Sequence, residues 1–304
     1  RVSRQMLINH RFANGTKLPL GTTPMRIAHI SDNHVGLPPD GMKSLVDKRI
    51  LGTLNFLLRR RRKIHLDWLA GAVDRLQALQ PDWIVCTGDL TSVSSPLEFA
   101  LAEGFMAPLL ELCPERFLYV PGNHDVYVSD RRCEKALAHA FSYLNSQRWD
   151  LTDLPVEFSH GETRFFVVQE CLPTNWFLSS GRVPEEAVDT LLGWLDQPRQ
   201  PGEKRVLVGH FPLLDGHGRA LGRRRRLANA EGLRQALADG RLDVSLCGHI
   251  HSPFTRREES GSLEVCAGAL TVAGKINLVE IAPNEGNVSQ TWFDISDPRI
   301  AEGV

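Results

Sequence analysis

Five short apolar runs in this chain each break off into a polar cluster of metal-ligating type, and that arrangement limits the fold more than any other feature. Residues 26–30 are followed by Ser31-Asp32-Asn33-His34, 83–86 by Thr87-Gly88-Asp89, and 117–120 by Pro121-Gly122-Asn123-His124-Asp125. Residues 205–208 lead into Gly209-His210, and 243–247 into Gly248-His249-Ile250-His251. Runs this short and this apolar read as strands buried on both faces. Open α/β sheets build their sites outside the carboxyl ends of such strands. One such cluster alone is a turn, because Asn and Asp favour turns for local reasons. A lone Gly-His is ordinarily a satisfied loop histidine. Five at five strand ends are not explained that way. If the strands share one mostly parallel sheet, all five clusters meet at its carboxyl edge.

The intervening segments read as helices. Residues 44–63 place Val46, Ile50, Leu54, Leu57 and Leu58 on one face and Lys48, Arg49, Asn55, Arg59 and Lys63 on the other. Further helices are expected at 67–79, 96–112, 131–144, 184–195 and 229–238, the fourth opening on Pro184-Glu185-Glu186. A strand is expected at 163–169. Beyond residue 247 the pattern changes to strands alone, at 262–266, 275–281 and 288–293. Alternating strand and helix followed by a β-rich end fits one α/β domain. We assign it to 25–296, with a polar tail at 1–24, a short tail at 297–304, and a Gly- and Arg-rich insertion at 213–226.

Composition excludes several classes. A chain of 304 residues with 42% hydrophobic and 23% charged residues is ordinary globular material. A net charge of −1 gives no global field for nucleic acid, so no specific nucleic-acid partner is expected. No apolar run approaches the roughly 20 residues that span a bilayer, and no secretory signal is visible. None of the six cysteines lies in C-x-x-C spacing. They read as buried free thiols of a reducing compartment, which points to a cytoplasmic location.

The strand-end clusters offer the carboxylates of Asp32, Asp89 and Asp125, the amide of Asn123, and the imidazoles of His34, His124, His210, His249 and His251. That exceeds the three or four ligands of one zinc site. It suits two divalent metals sharing a carboxylate. Oxygen and nitrogen donors without thiolate favour Mn, Fe, Zn, Co or Ni over Cu(I) or an iron–sulfur cluster. Two dipositive ions facing two ligand carboxylates leave positive charge over, which calls for an anion such as phosphate. Paired metals roughly 3.5–4 Å apart clamp attacking and leaving oxygens and lower the pKa of a water between them.

In chain order, Asp32-x-His34, Gly88-Asp89, Gly122-Asn123-His124-Asp125, Gly209-His210 and Gly248-His249-x-His251 resemble the calcineurin-like metallophosphoesterase superfamily. The resemblance covers about residues 26–281. It implies a four-layer α/β/β/α sandwich with a dinuclear centre of Mn²⁺, Fe²⁺/Fe³⁺ or Zn²⁺ at the sheet edge. It implies one ion held by Asp32, His34, Asp89 and His251, and another by Asp89, Asn123, His210 and His249. It implies that His124 contacts the substrate phosphate and protonates the leaving oxygen, and that Asp125 holds that imidazole in place. The implied reaction is hydrolysis of a phosphodiester or pyrophosphate bond by a hydroxide bridging the metals. Asn33 stands where many members carry Leu, and is expected to point away from the ligands.

Substrate is read more coarsely. The helix at 44–63 looks similar to one in bacterial members, and some relatives cleave the pyrophosphate of UDP-2,3-diacylglucosamine at the membrane surface. The resemblance therefore implies a phosphate-ester or diphosphate small molecule, either a nucleotide or a nucleotide-linked lipid. In the second case helix 44–63 would lie peripherally on the inner membrane face. His217, Arg223 and Arg224, in the insertion, are candidate substrate contacts, and the run Arg223 to Arg226 is a candidate for binding a second phosphate or a diphosphate. His29 and His65 are expected to be core or surface histidines, and the six tryptophans packing residues. Some members of the fold have lost their metals and act as binding scaffolds. Here every expected ligand position is filled, which favours an enzyme.

Overall fold

Two sheets, not one, carry the five apolar runs. The computed structural model describes residues 24–37, 48–55, 64–175, 178–282 and 287–296. In chain order the elements are β1 (Met25–Ile30), α1 (Lys48–Asn55), α2 (Asp67–Leu79), β2 (Trp83–Cys86), α3 (Pro96–Leu112), β3 (Phe117–Tyr119) and α4 (Arg131–Leu144). They continue as β4 (Val156–His160), β5 (Thr163–Val167), β6 (Gly181–Arg182), α5 (Glu185–Leu195), β7 (Lys204–Val208), β8 (Leu227–Ala228) and α6 (Glu231–Ala238). The last are β9 (Val244–Cys247), β10 (Phe254–Arg257), β11 (Leu263–Cys266), α7 (Leu270–Ala273), β12 (Lys275–Ile281) and β13 (Val288–Asp294).

The first sheet has the order β13-β12-β1-β2-β3, with β1, β2 and β3 parallel. The second has the order β10-β11-β9-β7-β5-β4, with a parallel centre of β11, β9, β7 and β5. The chain fills sheet one, moves to sheet two, and returns through β12, which pairs antiparallel with β1.

Side-chain alternation along the strands explains the layering. In β1, Ala28 and Ile30 face the helices α2, α3 and α4, packing with Leu69, Leu76, Met106 and Phe141. Ile27 faces the other way, into a core shared with Val85, Leu118, Val206, Val208 and Leu246. Phe166 and Leu207 face outward from sheet two onto α5 and α6, against Leu191 and Leu233. Both faces of both sheets are covered, so the central strands carry no polar alternation. The result is the expected α/β/β/α sandwich. The single sheet envisaged from the strand ends alone is not formed: the inner faces of the two sheets bury each other through Ile27, Val85, Val206 and Leu246, which leaves one outer face of each to the helices.

Strands β4 and β10 escaped the sequence reading. Both are antiparallel edge strands and half exposed, so neither shows a continuous apolar run. Helix α3 begins where its signals place it: Ser95 Oγ accepts from Glu98 N, the Glu98 side chain answers to Ser95 N, and Pro96 follows.

The outward basic face expected of helix 44–63 is corrected at its start. Lys48 and Arg49 are 8% and 2% exposed. Arg49 donates to Cys133 Sγ at 3.3 Å and lies 3.6 Å from an Asp130 oxygen. Lys48 donates to Thr174 Oγ1 at 2.7 Å and to the Leu178 carbonyl at 3.1 Å. A long cationic stem packs inward readily when carbonyls and a carboxylate meet its head. Residues 44–47 and 56–63, with Leu57, Leu58, Arg59 and Lys63, lie outside the described residues, as do the tails 1–23 and 297–304. No described helix is long and apolar enough to cross a membrane. All six cysteines are buried, and none is in a disulfide.

Candidate metal centre

The loops after β1, β2 and β3 from one sheet meet those after β7 and β9 from the other. They are knitted by their backbones: Asp32 N donates to Gly88 O at 2.9 Å, and His34 N to Asp89 O at 2.9 Å. Five site residues sit in the left-handed region, Asp32 at φ 53°, His34 at 48°, Asp89 at 54°, His249 at 70° and His251 at 59°. Non-glycine residues held there cost about 1–3 kcal/mol each and cluster at functional sites. The glycines beside them serve close approach. A Cβ on Gly122 would collide with Asp89 Oδ1, and one on Gly248 with Ser31 Oγ and Asp32 Oδ2.

Asp32, His34, Asp89 and His251 form one compact group, with one donor atom of each lying within 4.8 Å of the others. His34 Nε2 is 2.8 Å from His251 Nε2, 3.6 Å from Asp32 Oδ1 and 3.7 Å from Asp89 Oδ2. A second gathering lies on the other side of Asp89. His210 Nε2 is 3.6 Å from Asp89 Oδ1 and 3.2 Å from Asn123 Oδ1. His249 Nδ1 is 2.8 Å from the same amide oxygen. All these groups are buried except His251, which is partly exposed.

Backbone carbonyls set which nitrogen of each imidazole carries the proton. A carbonyl only accepts, so the nitrogen facing it must donate. His210 Nδ1 faces Thr87 O at 2.6 Å, His249 Nε2 faces Arg225 O at 3.0 Å, and His34 Nδ1 faces Thr91 O at 3.4 Å. The remaining nitrogens therefore point electron pairs into the site, towards other electron pairs. Asp32 Oδ1, fully buried, has no hydrogen-bond partner. Burial keeps His210 low, and burial together with His210 keeps His249 well below its ordinary value, so both are neutral ligands in waiting. Convergent lone pairs, an orphaned carboxylate oxygen and neutral imidazoles fit divalent cations.

His124 stands at the edge of this set. Its Nδ1 faces the Ser92 carbonyl at 2.6 Å, its backbone N–H donates to Asp89 Oδ1 at 2.7 Å, and its ring meets His34 edge-on at 4.9 Å. The Asp125 carboxylate does not meet this imidazole, as the resemblance implied it would. It instead accepts from Leu90 N, Thr91 N, Thr91 Oγ1, Tyr119 Oη and Gly122 N. It staples the loop after β2 to the loop after β3, and reaches His124 only through that frame. Asn33 is buried with its amide towards Met106 Sδ, away from the ligands.

A cavity of about 310 Å³ opens over the centre, lined by Asp89, Asn123, His124, His249 and His251 together with Ser179 and Arg225. The arginine run is divided. Arg225 borders this cavity, while Arg223, Arg224 and Arg226 line a neighbouring one of about 400 Å³. The β6–β8 ladder supports both rims, with Ser179 N donating to Arg224 O and Gly181 N to Arg226 O. His217 lies in an exposed turn capped by Asp215 and lines neither cavity. His29 is a core residue bonded to Thr87 Oγ1 at 2.9 Å, and His65 stacks on Trp68. Ser179 and the carbonyls of Thr87, Thr91 and Ser92 carry no signature in the sequence. Arg225 was singled out only as part of a run.

Residues 25–253 match the calcineurin-like phosphoesterase family. No curated protein matches the chain in sequence. Among solved structures, a dimetal phosphatase from Danio rerio superposes with a TM-score of 0.59 at 16% identity, covering 90% of this chain and 100% of the other. A putative 5′-nucleotidase from Staphylococcus aureus gives a TM-score of 0.54 at 16% identity, over 90% of this chain and 55% of the other. A purple acid phosphatase from yellow lupin, Lupinus luteus, gives 0.53 at 13% identity, over 94% and 56%. This chain thus spans about half the length of the last two. At these identities the likeness is one of fold.

Proposed function

We propose that this chain, which belongs to the calcineurin-like phosphoesterase family, is a metal-dependent hydrolase that cleaves a phosphodiester or diphosphate bond. The observation that carries the reading is the placement of Asp89, whose Oδ2 lies 3.7 Å from His34 Nε2 and whose Oδ1 lies 3.6 Å from His210 Nε2. One carboxylate faces two separate groups of ligands, which suits two ions sharing it. Asp32, His34, Asp89 and His251 would hold one, and Asp89, Asn123, His210 and His249 the other. Divalent ions such as Mn²⁺, Fe²⁺ or Zn²⁺ supply Lewis-acid polarisation of the phosphoryl group and an acidified water.

The chain's own groups do the rest. As an imidazolium, His124 would keep Nδ1–H on the Ser92 carbonyl and carry a second proton on Nε2, which it would hand to the departing oxygen. Arg225, on the cavity rim, offers its guanidinium to the phosphoryl oxygens. Arg223 and Arg224 line the next cavity, where a second anionic group of the substrate would lie. That favours a diester or diphosphate over a simple monoester. The inward turn of Lys48 and Arg49 takes two basic residues away from any membrane-facing surface, so a soluble nucleotide-like substrate is preferred to a nucleotide-linked lipid. The filled ligand set speaks against a metal-free scaffold.

The test is a hydrolysis panel with Mn²⁺-reconstituted protein. It comprises p-nitrophenyl phosphate, bis-p-nitrophenyl phosphate, cyclic AMP, a nucleoside diphosphate ester and UDP-diacylglucosamine. The proposal expects turnover of the diester or a diphosphate above the monoester, lost in Asp89→Ala. Turnover confined to the monoester would overturn the bond type. No turnover of any of them would overturn the enzyme.

A further inference from the structure

Helix α1 makes a contact that leads directly to His124. The Lys48 ammonium sits 4.4 Å from the centre of the Tyr127 ring. On its other side, Tyr127 stacks on the His124 imidazole, with centroids 5.3 Å apart and planes 13° apart. Tyr127 is buried, and it is wedged: a Cβ added to Gly52 of α1 would lie 2.9 Å from the tyrosine hydroxyl oxygen. The spacing of three residues between His124 and Tyr127 is that of one helical turn, and Val126 N does bond back to Gly122 O at 3.2 Å. The same Lys48 head donates to Thr174 Oγ1 and Leu178 O, on the segment that delivers Ser179 to the metal cavity.

We propose that Tyr127 and Lys48 are positioning residues for His124. The hydrogen bond from Nδ1 to Ser92 O fixes one end of the imidazole but leaves rotation about that axis. A stacked ring fixes the plane, so that Nε2 faces the cavity. Lys48 holds the tyrosine against the imidazole by a cation–π contact and ties that stack to the cavity rim. Burial supports such a role by drawing the Lys48 ammonium down to about 8, which marks it as poorly hydrated and dependent on its protein partners. The inference rests on the general-acid reading of His124.

The experiment compares Tyr127→Leu, Tyr127→Phe and Lys48→Met in the full chain, each loaded with Mn²⁺, on bis-p-nitrophenyl phosphate and diphenyl phosphate. Misplacing an acid hurts the poorer leaving group more. Tyr127→Leu should lower kcat on diphenyl phosphate by about 10–100-fold and on the nitrophenyl diester by about threefold or less, with KM and bound metal unchanged. Tyr127→Phe, which keeps the stack, should restore both rates, and Lys48→Met should show the same selectivity in weaker form. Equal losses on the two esters, or no rescue by phenylalanine, would overturn the proposal. A second readout needs no turnover. In metal-free protein the His124 Nδ1–H proton resonance, assigned by its loss in His124→Ala, should persist in Tyr127→Phe and broaden in Tyr127→Leu. A sharp resonance in Tyr127→Leu would also overturn the proposal. If His124→Ala itself loses equally on both esters, the general-acid reading falls, while the resonance still decides whether Tyr127 positions the ring. Should Tyr127→Leu fail to fold, Lys48→Met carries both comparisons.

Discussion

His34 Nε2 and His251 Nε2 face each other at 2.8 Å across 217 positions of sequence. One follows β1 of the first sheet and the other follows β9 of the second, so the contact marks where the two carboxyl edges meet. With His34 Nδ1 turned to a carbonyl, the pair presents more electron pairs than protons, and Asp32 Oδ1 adds another. The folded chain should therefore bind cations that the unfolded chain does not. Added Mn²⁺ or Zn²⁺ should raise the melting temperature, with a stabilisation of about 2.7 kcal/mol at a hundredfold excess over Kd. A melting temperature indifferent to metal would refute the centre.

Stoichiometry separates the two halves of the site. Elemental analysis of reconstituted protein should approach two metals per chain. Asp89→Ala should lose both together with activity, because its two oxygens face different imidazoles. His251→Ala should lose the ion on its own side first. A fully active protein that saturates at one metal would rule out a shared Asp89.

His124 should behave as an acid and not as a ligand. His124→Ala should keep its metals and lose about 10²–10⁴-fold in kcat on esters with poor leaving groups. The loss should shrink for p-nitrophenol esters, whose leaving oxygen needs little protonation. Loss of metal alongside activity would move His124 into the ligand set.

The ligands were legible in the sequence because each follows a strand buried on both faces, which leaves an unbroken apolar run before a polar stop. The same logic hides β4 and β10, edge strands with one wet face and no such run. Apolar runs alone also do not show the second sheet, which only the resemblance implied, since a run such as 206–208 looks alike in either sheet. The orientation of His124 was misread for a different reason. The resemblance implied Asp125 as its partner, but the turn places the carboxylate on Thr91 and Gly122, and a carbonyl from another loop meets the imidazole. Carbonyls carry no residue-specific signal. Lys48 and Arg49 were misassigned because periodicity sorts apolar from charged residues, whereas Asp130, Thr174 and Leu178, distant in sequence, decide where a charged head is satisfied.

Glu98 should make stability depend on pH. Its carboxyl accepts from the backbone N–H groups of Val93, Ser95 and Leu37, yet burial raises it to about 7. The unfolded carboxyl ionises near its ordinary value of 4.5. Below that value both states are protonated and the contribution is complete. As pH rises towards 7 the unfolded state gives up its proton first, so the contribution is lost through that window. In metal-free protein the urea midpoint should fall more from pH 5 to pH 8 in the parent than in Glu98→Gln. Identical falls would show that Glu98 titrates normally.

The divided arginine run gives the sharpest test of substrate class. Arg225 borders the metal cavity and Arg224 the neighbouring one, although the two are adjacent in sequence and both side chains are exposed. If Arg225 contacts the phosphoryl group under attack, Arg225→Ala should weaken every phosphate substrate. A hydrogen bond to a charged group is worth about 1.5–3 kcal/mol, or roughly 10–100-fold in kcat/KM. His249 is held by the Arg225 backbone carbonyl, which alanine retains, so metal content should not change. Arg224→Ala should be silent on bis-p-nitrophenyl phosphate, which carries one anionic group, and should raise KM for a nucleoside diphosphate ester. Lysine at either position should recover part of the loss, since it restores the charge without the planar fork. If Arg224→Ala affects both substrates alike, the second cavity holds no distal phosphate, and a diester with a single charge becomes the better substrate for this site.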